Sequence, residues 1–198
     1  MKRSPHVLGI DEGPFLKGQS ERVPVVGALC EGASLLEAVA RSEFPVDGAG
    51  ATEFLIDWIG GLRAAASLQA IALGGITFAG LGIIDVRELS QALATPVLVV
   101  TRRPPDNARL QQALSAANLL ERYPIAERSP AALRTDDGLY LAHAGCDREQ
   151  ALELLRATQG KAKLPEPLRI AHLIATAWVR GESHGRVRAD PRAEGEDA

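Results

Sequence analysis

Three short, mostly apolar runs stand out along the chain: Val7-Leu8-Gly9-Ile10, Leu68 to Leu73, and Pro96-Val97-Leu98-Val99-Val100. None alternates polar with apolar positions, and strands of that kind belong in a parallel sheet buried on both faces. The first run ends at Asp11-Glu12-Gly13-Pro14, a turn, and Phe15 to Glu21 reads as a polar loop. Val23 to Cys30 and Ser34 to Ala40, separated by Glu31-Gly32-Ala33, read as a hairpin packed on the first strand. Leu36, Ala38 and Ala40 would also suit a helix. After the break at Pro45-Val46-Asp47-Gly48 the apolar period changes to 3.6. Phe54, Leu55, Trp58, Ile59 and Leu62 then share one face of a helix that starts near Ala51 and stops at Gly60-Gly61. Further helices are predicted over Asp85 to Leu93, and from an Asp106-Asn107 cap to about Arg122, with Leu110, Ala113, Leu114, Ala117 and Leu120 inward. A looser stretch follows Pro124, then a strand over Gly138 to Ala144 and a helix over Arg148 to Thr158. The last helix, Pro165 to Val179, carries its prolines in the first turn, where they are tolerated.

Early antiparallel strands joined to a helix–strand–helix–strand half make an α/β fold. They predict a ribonuclease-H-like mixed sheet flanked by helices, although other α+β folds share this order. Residues 1–180 are expected to form one domain, and 181–198, rich in Gly, Arg, Glu and Asp without apolar periodicity, a disordered tail. The 198 residues are 46% hydrophobic and 24% charged, enough for one real core. No run of 18 apolar residues occurs, so no membrane span is expected, and the N-terminus lacks the pattern of a secretory signal. Cys30 and Cys146 have neither zinc-site spacing nor a disulfide framework, and read as small core residues of a reduced, cytoplasmic protein. The net charge of −3 weighs against nonspecific nucleic-acid binding, which phosphate contacts supply, but a local basic cluster can serve on an acidic protein.

Ligands of open α/β sheets bind beyond the carboxyl ends of the parallel strands. Asp11, Gly74-Gly75 and Thr101-Arg102-Arg103 occupy those ends, so a carboxylate, a glycine turn and two guanidinium groups should meet there. That set suits a divalent cation and a phosphate ester. Asp-Glu-Gly-Pro is also an ordinary turn, and Arg-Arg-Pro-Pro an ordinary solvated loop. On the last helix Arg169, His172, Thr176 and Arg180 form one polar stripe on an otherwise apolar element, which must find partners or face a cleft. His172 there is a metal ligand, a proton donor, or a histidine satisfied by a carbonyl. Glu53, in the first turn of its helix, is favoured by the helix dipole whether or not it has a task.

Four segments carry a resemblance in order along residues 5 to 185. Gly9-Ile10-Asp11-Glu12-Gly13-Pro14-Phe15, Val46-Asp47-Gly48-Ala49-Gly50-Ala51-Thr52-Glu53, Gly74-Gly75-Ile76-Thr77-Phe78-Ala79-Gly80 with Asp85, and Pro165-Glu166-Pro167-Leu168-Arg169-Ile170-Ala171-His172 resemble the motifs of the domain-of-unknown-function-99 family, the endonuclease dU family. The last segment also resembles one of endonuclease V, a more distant relative. The resemblance implies a ribonuclease-H-like fold and a metal-dependent endonuclease acting on uracil- or inosine-containing DNA. It implies Asp11 and Glu53 as ligands of Mg2+ or Mn2+, and Asp11, Glu53 and His172 as the catalytic set. Arg102, Arg103 and Arg169 are the candidates for substrate binding, and DNA, single-stranded or damaged, is the expected partner. The chain departs from the family pattern at Gly50 and Gly74, where aspartate is expected. Two-metal hydrolysis needs several anionic oxygens, so metal binding should be weakened unless Asp85, Asp47 or Glu12 compensates. The rival readings are a nucleic-acid or nucleotide-binding module without chemistry, and a partner protein using the groove for a peptide.

Overall fold

The computed structural model describes residues 4–16 and 18–184; most of the tail expected to be disordered, 185–198, lies outside the described residues. In chain order the elements are β1 (His6–Glu12), β2 (Arg22–Glu31), β3 (Leu35–Pro45), α1 (Ala51–Gly60), β4 (Ala70–Leu73), β5 (Thr77–Phe78) and β6 (Gly82–Ile83). Then come α2 (Val86–Leu93), β7 (Val97–Thr101), α3 (Asn107–Ala116), α4 (Tyr123–Glu127), β8 (Leu133–Arg134), β9 (Tyr140–Ala144), α5 (Arg148–Thr158) and α6 (Glu166–Arg180). One seven-stranded sheet runs β3-β2-β1-β4-β7-β9-β8, and β5 and β6 form a separate hairpin. β1, β4 and β7 are parallel neighbours, with the β2–β3 hairpin antiparallel beside β1. This is the ribonuclease-H-like core that the element order predicts. The parallel part stops at β7, because β9 returns antiparallel to it.

Side-chain parity explains why the central strands do not alternate. Leu8 and Ile10 of β1, Ile71 and Leu73 of β4, and Val97 and Val99 of β7 pack with Leu55 and Ile59 of α1 and Leu89 of α2. Val7, Ala70, Ala72, Leu98 and Val100 point the other way, onto Leu154 and Leu155 of α5 and Leu168 of α6. With both faces covered, every position is apolar. Further along α6, Ala171 and Ala175 sit on Val26 and Ala28 of β2. Among the described residues no helix is long and apolar enough to cross a membrane.

Three elements differ from the pattern reading. The helix begun at Asp106 ends at Ala116, not near Arg122, because Asn118 turns into the left-handed region at φ 57° and a short 3-10 turn takes over at Leu120–Arg122. The stretch after Pro124 belongs to α4 and then β8 rather than to an open loop. β3 runs on to Pro45, five residues past Ala40, because its pairing with β2 continues to Arg22.

Candidate functional site at the carboxyl edge

α6 lies along β1 in matched steps. A Cβ on Gly9 would fall 2.2 Å from the Leu168 nitrogen and the Pro167 carbonyl carbon, so only glycine admits the first turn of α6 there. Four residues of helix advance about 6 Å, and two residues of strand advance about 6.6 Å. One turn beyond Leu168, His172 therefore stands over Asp11, and Ala175 over Gly13, whose Cβ would meet the Ala175 carbonyl at 3.0 Å. His172 Nδ1 donates to Asp11 Oδ2 at 2.6 Å, with 63% of the histidine side chain and 22% of the aspartate side chain exposed. That hydrogen bond holds the His172 pKa above its ordinary value; burial and the Arg102 charge oppose the rise.

Asp11, Glu12, Gly13, Pro14, Phe15, His172, Thr176 and Arg180 line an open groove of about 410 Å³. Three of the four stripe residues of α6 thus meet the end of β1. The fourth, Arg169, is taken up by Glu166, which accepts from its Nε at 2.8 Å. Arg102 and Arg103 follow β7 at the same edge and are exposed, and the Thr101 hydroxyl donates to the Arg103 carbonyl at 2.7 Å. Glu53 is exposed in the first turn of α1, the helix packed on the opposite face of the sheet, and the structure does not bring it into contact with Asp11 or His172.

Gly74 completes the edge. Ile10 pairs with Leu73, so Asp11 and Gly74 are the next residues of adjacent strands. Ala70 and Ala72 face α6, and Gly74 shares their parity; a Cβ added there would come no nearer than 4.0 Å to Leu168. The space beside Asp11 is open, but it holds no carboxylate. The acids offered as compensation are engaged elsewhere. Asp85 caps α2, accepting from the Arg87 and Glu88 nitrogens, and pairs with Arg128 at 3.0 Å. Asp47 Oδ1 accepts from the Leu81 nitrogen at 2.8 Å. Glu12 faces away from α6 and accepts from the Ala79 nitrogen at 3.1 Å. Burial, reinforced by the neighbouring Asp11 charge, pushes the Glu12 pKa up to about 7. Sequence reasoning underrated Glu12, although its place next to Asp11 at the end of a doubly buried strand implies the opposite, covered face.

A larger depression of about 660 Å³, lined by Arg87, Ser90, Thr95, His143 and Cys146 among others, opens near the amino end of β7. Among the described residues that line it none is a carboxylate, and His143 is bonded to the Cys146 carbonyl. That depression is the larger of the two, whereas Asp11, His172 and Arg180 converge in the smaller groove.

The family described as Endonuclease dU matches residues 3–179. A UPF0215 protein of Methanothermobacter thermautotrophicus is 36% identical over 189 residues, covering 93% of both chains. Among solved structures, a protein of unknown function from Archaeoglobus fulgidus superposes with a TM-score of 0.80 at 30% identity, covering 91% of this chain and 99% of the other. Ciona intestinalis endonuclease V, in complex with a 24mer DNA containing an inosine followed by a ribo-adenosine, superposes with a TM-score of 0.54 at 12% identity, covering 86% and 83%. At that identity the likeness is one of fold.

Proposed function

This chain belongs to the endonuclease dU family, and from that premise we propose that it is a cytoplasmic, metal-dependent endonuclease-like protein acting on deaminated DNA, uracil- or inosine-containing, at the carboxyl edge of its sheet. The observation that carries the reading is the Asp11–His172 pair, exposed in a groove and flanked by Arg102 and Arg180. The donor set fits a single dication better than a pair. Among the described residues Asp11 is the carboxylate that meets α6 in the groove, with Glu12 turned through the sheet and Gly74 offering no oxygen. Mg2+ or Mn2+ would be held by Asp11 and water, and when bound it would polarise a phosphoryl group and lower the pKa of a bound water. Glu53, the second ligand that the family implies, would have to be brought to the edge by substrate.

The residues of the chain supply the rest. Arg102 and Arg180 bind phosphate oxygens as planar forks. His172, whose pKa is raised by its hydrogen bond to Asp11, is placed to pass a proton to a leaving oxygen. The missing carboxylate at Gly74 also supports a second reading, a binding module that holds nucleic acid on the same edge without cleaving it.

Metal affinity and cleavage of matched uracil- and inosine-containing oligonucleotides separate the two for the wild type, Asp11→Asn and Gly74→Asp. Slow wild-type cleavage at high Mn2+ or Mg2+, lost in Asp11→Asn and accelerated with tighter metal binding in Gly74→Asp, is the expected result. Undiminished cleavage by Asp11→Asn would defeat the catalytic assignment. DNA binding with a steep salt dependence and no metal binding by any variant would replace it with the binding module.

A further inference from the structure

At the amino edge of the sheet, opposite the groove, three strands bring one metal-ligating side chain each. His6 opens β1 and pairs with Glu31, which closes β2. β3 contributes Glu37 through a bulge: Leu29 pairs with Ala38 and Cys30 with Leu36, which leaves Glu37 as the extra residue. Bulges of this kind re-aim a side chain. The ligand atoms of His6, Glu31 and Glu37 all lie within 4.8 Å of one another. We propose that these three residues form a binding site for a zinc-class divalent transition ion, which clips the first three strands together.

The geometry is close to what such an ion requires. His6 Nε2 stands 3.2 Å from Glu37 Oε2, and zinc bonds of the usual length place two ligands of a tetrahedron about 3.3 Å apart. Glu31 has to close the remaining gap, and its half-exposed side chain is free to do so. Charge points the same way. Two carboxylates this close repel one another, and one imidazole, even protonated, leaves the cluster negative, whereas a dication neutralises it. An exposed histidine–glutamate pair alone contributes little. The imidazole selects zinc, cobalt or nickel over magnesium. The backbone of His6 is already fixed, donating to Gln69 Oε1 at 3.0 Å and accepting from the Gln69 nitrogen at 2.9 Å. The fourth ligand would be water.

Calorimetric titration of the full chain with ZnCl2, in magnesium-free buffer, tests the site. Using Asp11→Asn as the parent removes the carboxyl edge as a competing ligand. One equivalent of Zn2+ should still bind to the parent, whatever the carboxyl edge adds in the wild type. At a hundredfold excess over Kd it should raise Tm by about 5 °C and shift the His6 imidazole resonances. Glu37→Gln and His6→Gln, each in that parent, should weaken Zn2+ by at least roughly tenfold, the loss that removal of even an outer-sphere partner can cause. Their metal-free melting should stay near that of the parent. Equal Zn2+ affinity in these variants, or no binding once Asp11 is replaced, would overturn the site.

Discussion

Glu12 and Asp11 are adjacent in sequence yet face opposite sides of one strand, and the two carboxylates have different fates. Asp11 meets a histidine in a groove, while Glu12 is held under the loop at Ala79 with its pKa near 7. The ordinary value is 4.5, so between pH 4.5 and 7 the unfolded chain has lost a proton that the folded chain retains. By linkage the Glu12 contribution is fully present below pH 4.5 and is lost as pH rises to 7. His172, whose pKa is also raised by folding, acts in the same direction as pH passes its folded value. Glu12→Gln keeps the acceptor for Ala79 and removes the titration. Above pH 7 the variant should be more stable than wild type by up to about 3 kcal/mol, with the difference gone below pH 4.5. Denaturant melts across pH 4 to 8 measure it; a constant difference would show that burial of this carboxyl is not the cause.

At the scale of elements, the fit of α6 on β1 decides whether the site exists. Gly9→Ala sets a methyl group against the backbone of Pro167 and Leu168. The helix must lift, at a cost of about 3 kcal/mol or more. Thermal melting should show the loss, and the histidine resonance of His172 should move toward its ordinary titration as Asp11 is withdrawn. The pattern of residues disclosed much of this scaffold. The doubly buried strands, the helix faces, and the polar stripe of α6 all follow from periodicity, and the stripe pointed to His172. What it concealed depends on single torsions or on tertiary direction. The apolar spacing of α3 continues through Ala117 and Leu120, so nothing in it announces the left-handed turn at Asn118. The direction of β9 depends on how the chain crosses from α4, which no local run encodes. Glu53 begins its helix as the family motif has it, but whether that end reaches Asp11 is a matter of helix placement. Arg122 escaped notice because it looked like the end of a helix. Its guanidinium donates to the carbonyls of Asp47, Gly48 and Leu81 and ties the loop before α1 to the β5–β6 hairpin. Arg122→Met should therefore destabilise the fold by about 2 kcal/mol, read in urea, because it leaves three carbonyls unpaired.

For the molecule as a whole, a net charge of −3 leaves little general attraction for a polyanion. Among the described residues, DNA binding at the proposed edge would rest on Arg102, Arg103 and Arg180. Three phosphate contacts predict a log–log salt slope of about −2 on single strands and about −2.7 on duplex. Arg102→Ala should reduce the slope by about 1 while weakening all sequences alike. Fluorescence anisotropy from 20 to 300 mM salt gives the slope, and a value near zero would mean that the groove does not hold phosphate.

Asp11 and His172 are separated by 161 residues. Synthesis runs from the amino end, so β1 is made long before the helix that covers it. Until α6 leaves the ribosome, Val7, Val26 and Ala28 lack their lid and Asp11 lacks its partner. Apolar strand faces left uncovered in this way invite aggregation. A nascent chain therefore cannot form the histidine–aspartate pair before α6, the last element of the described fold, has been translated.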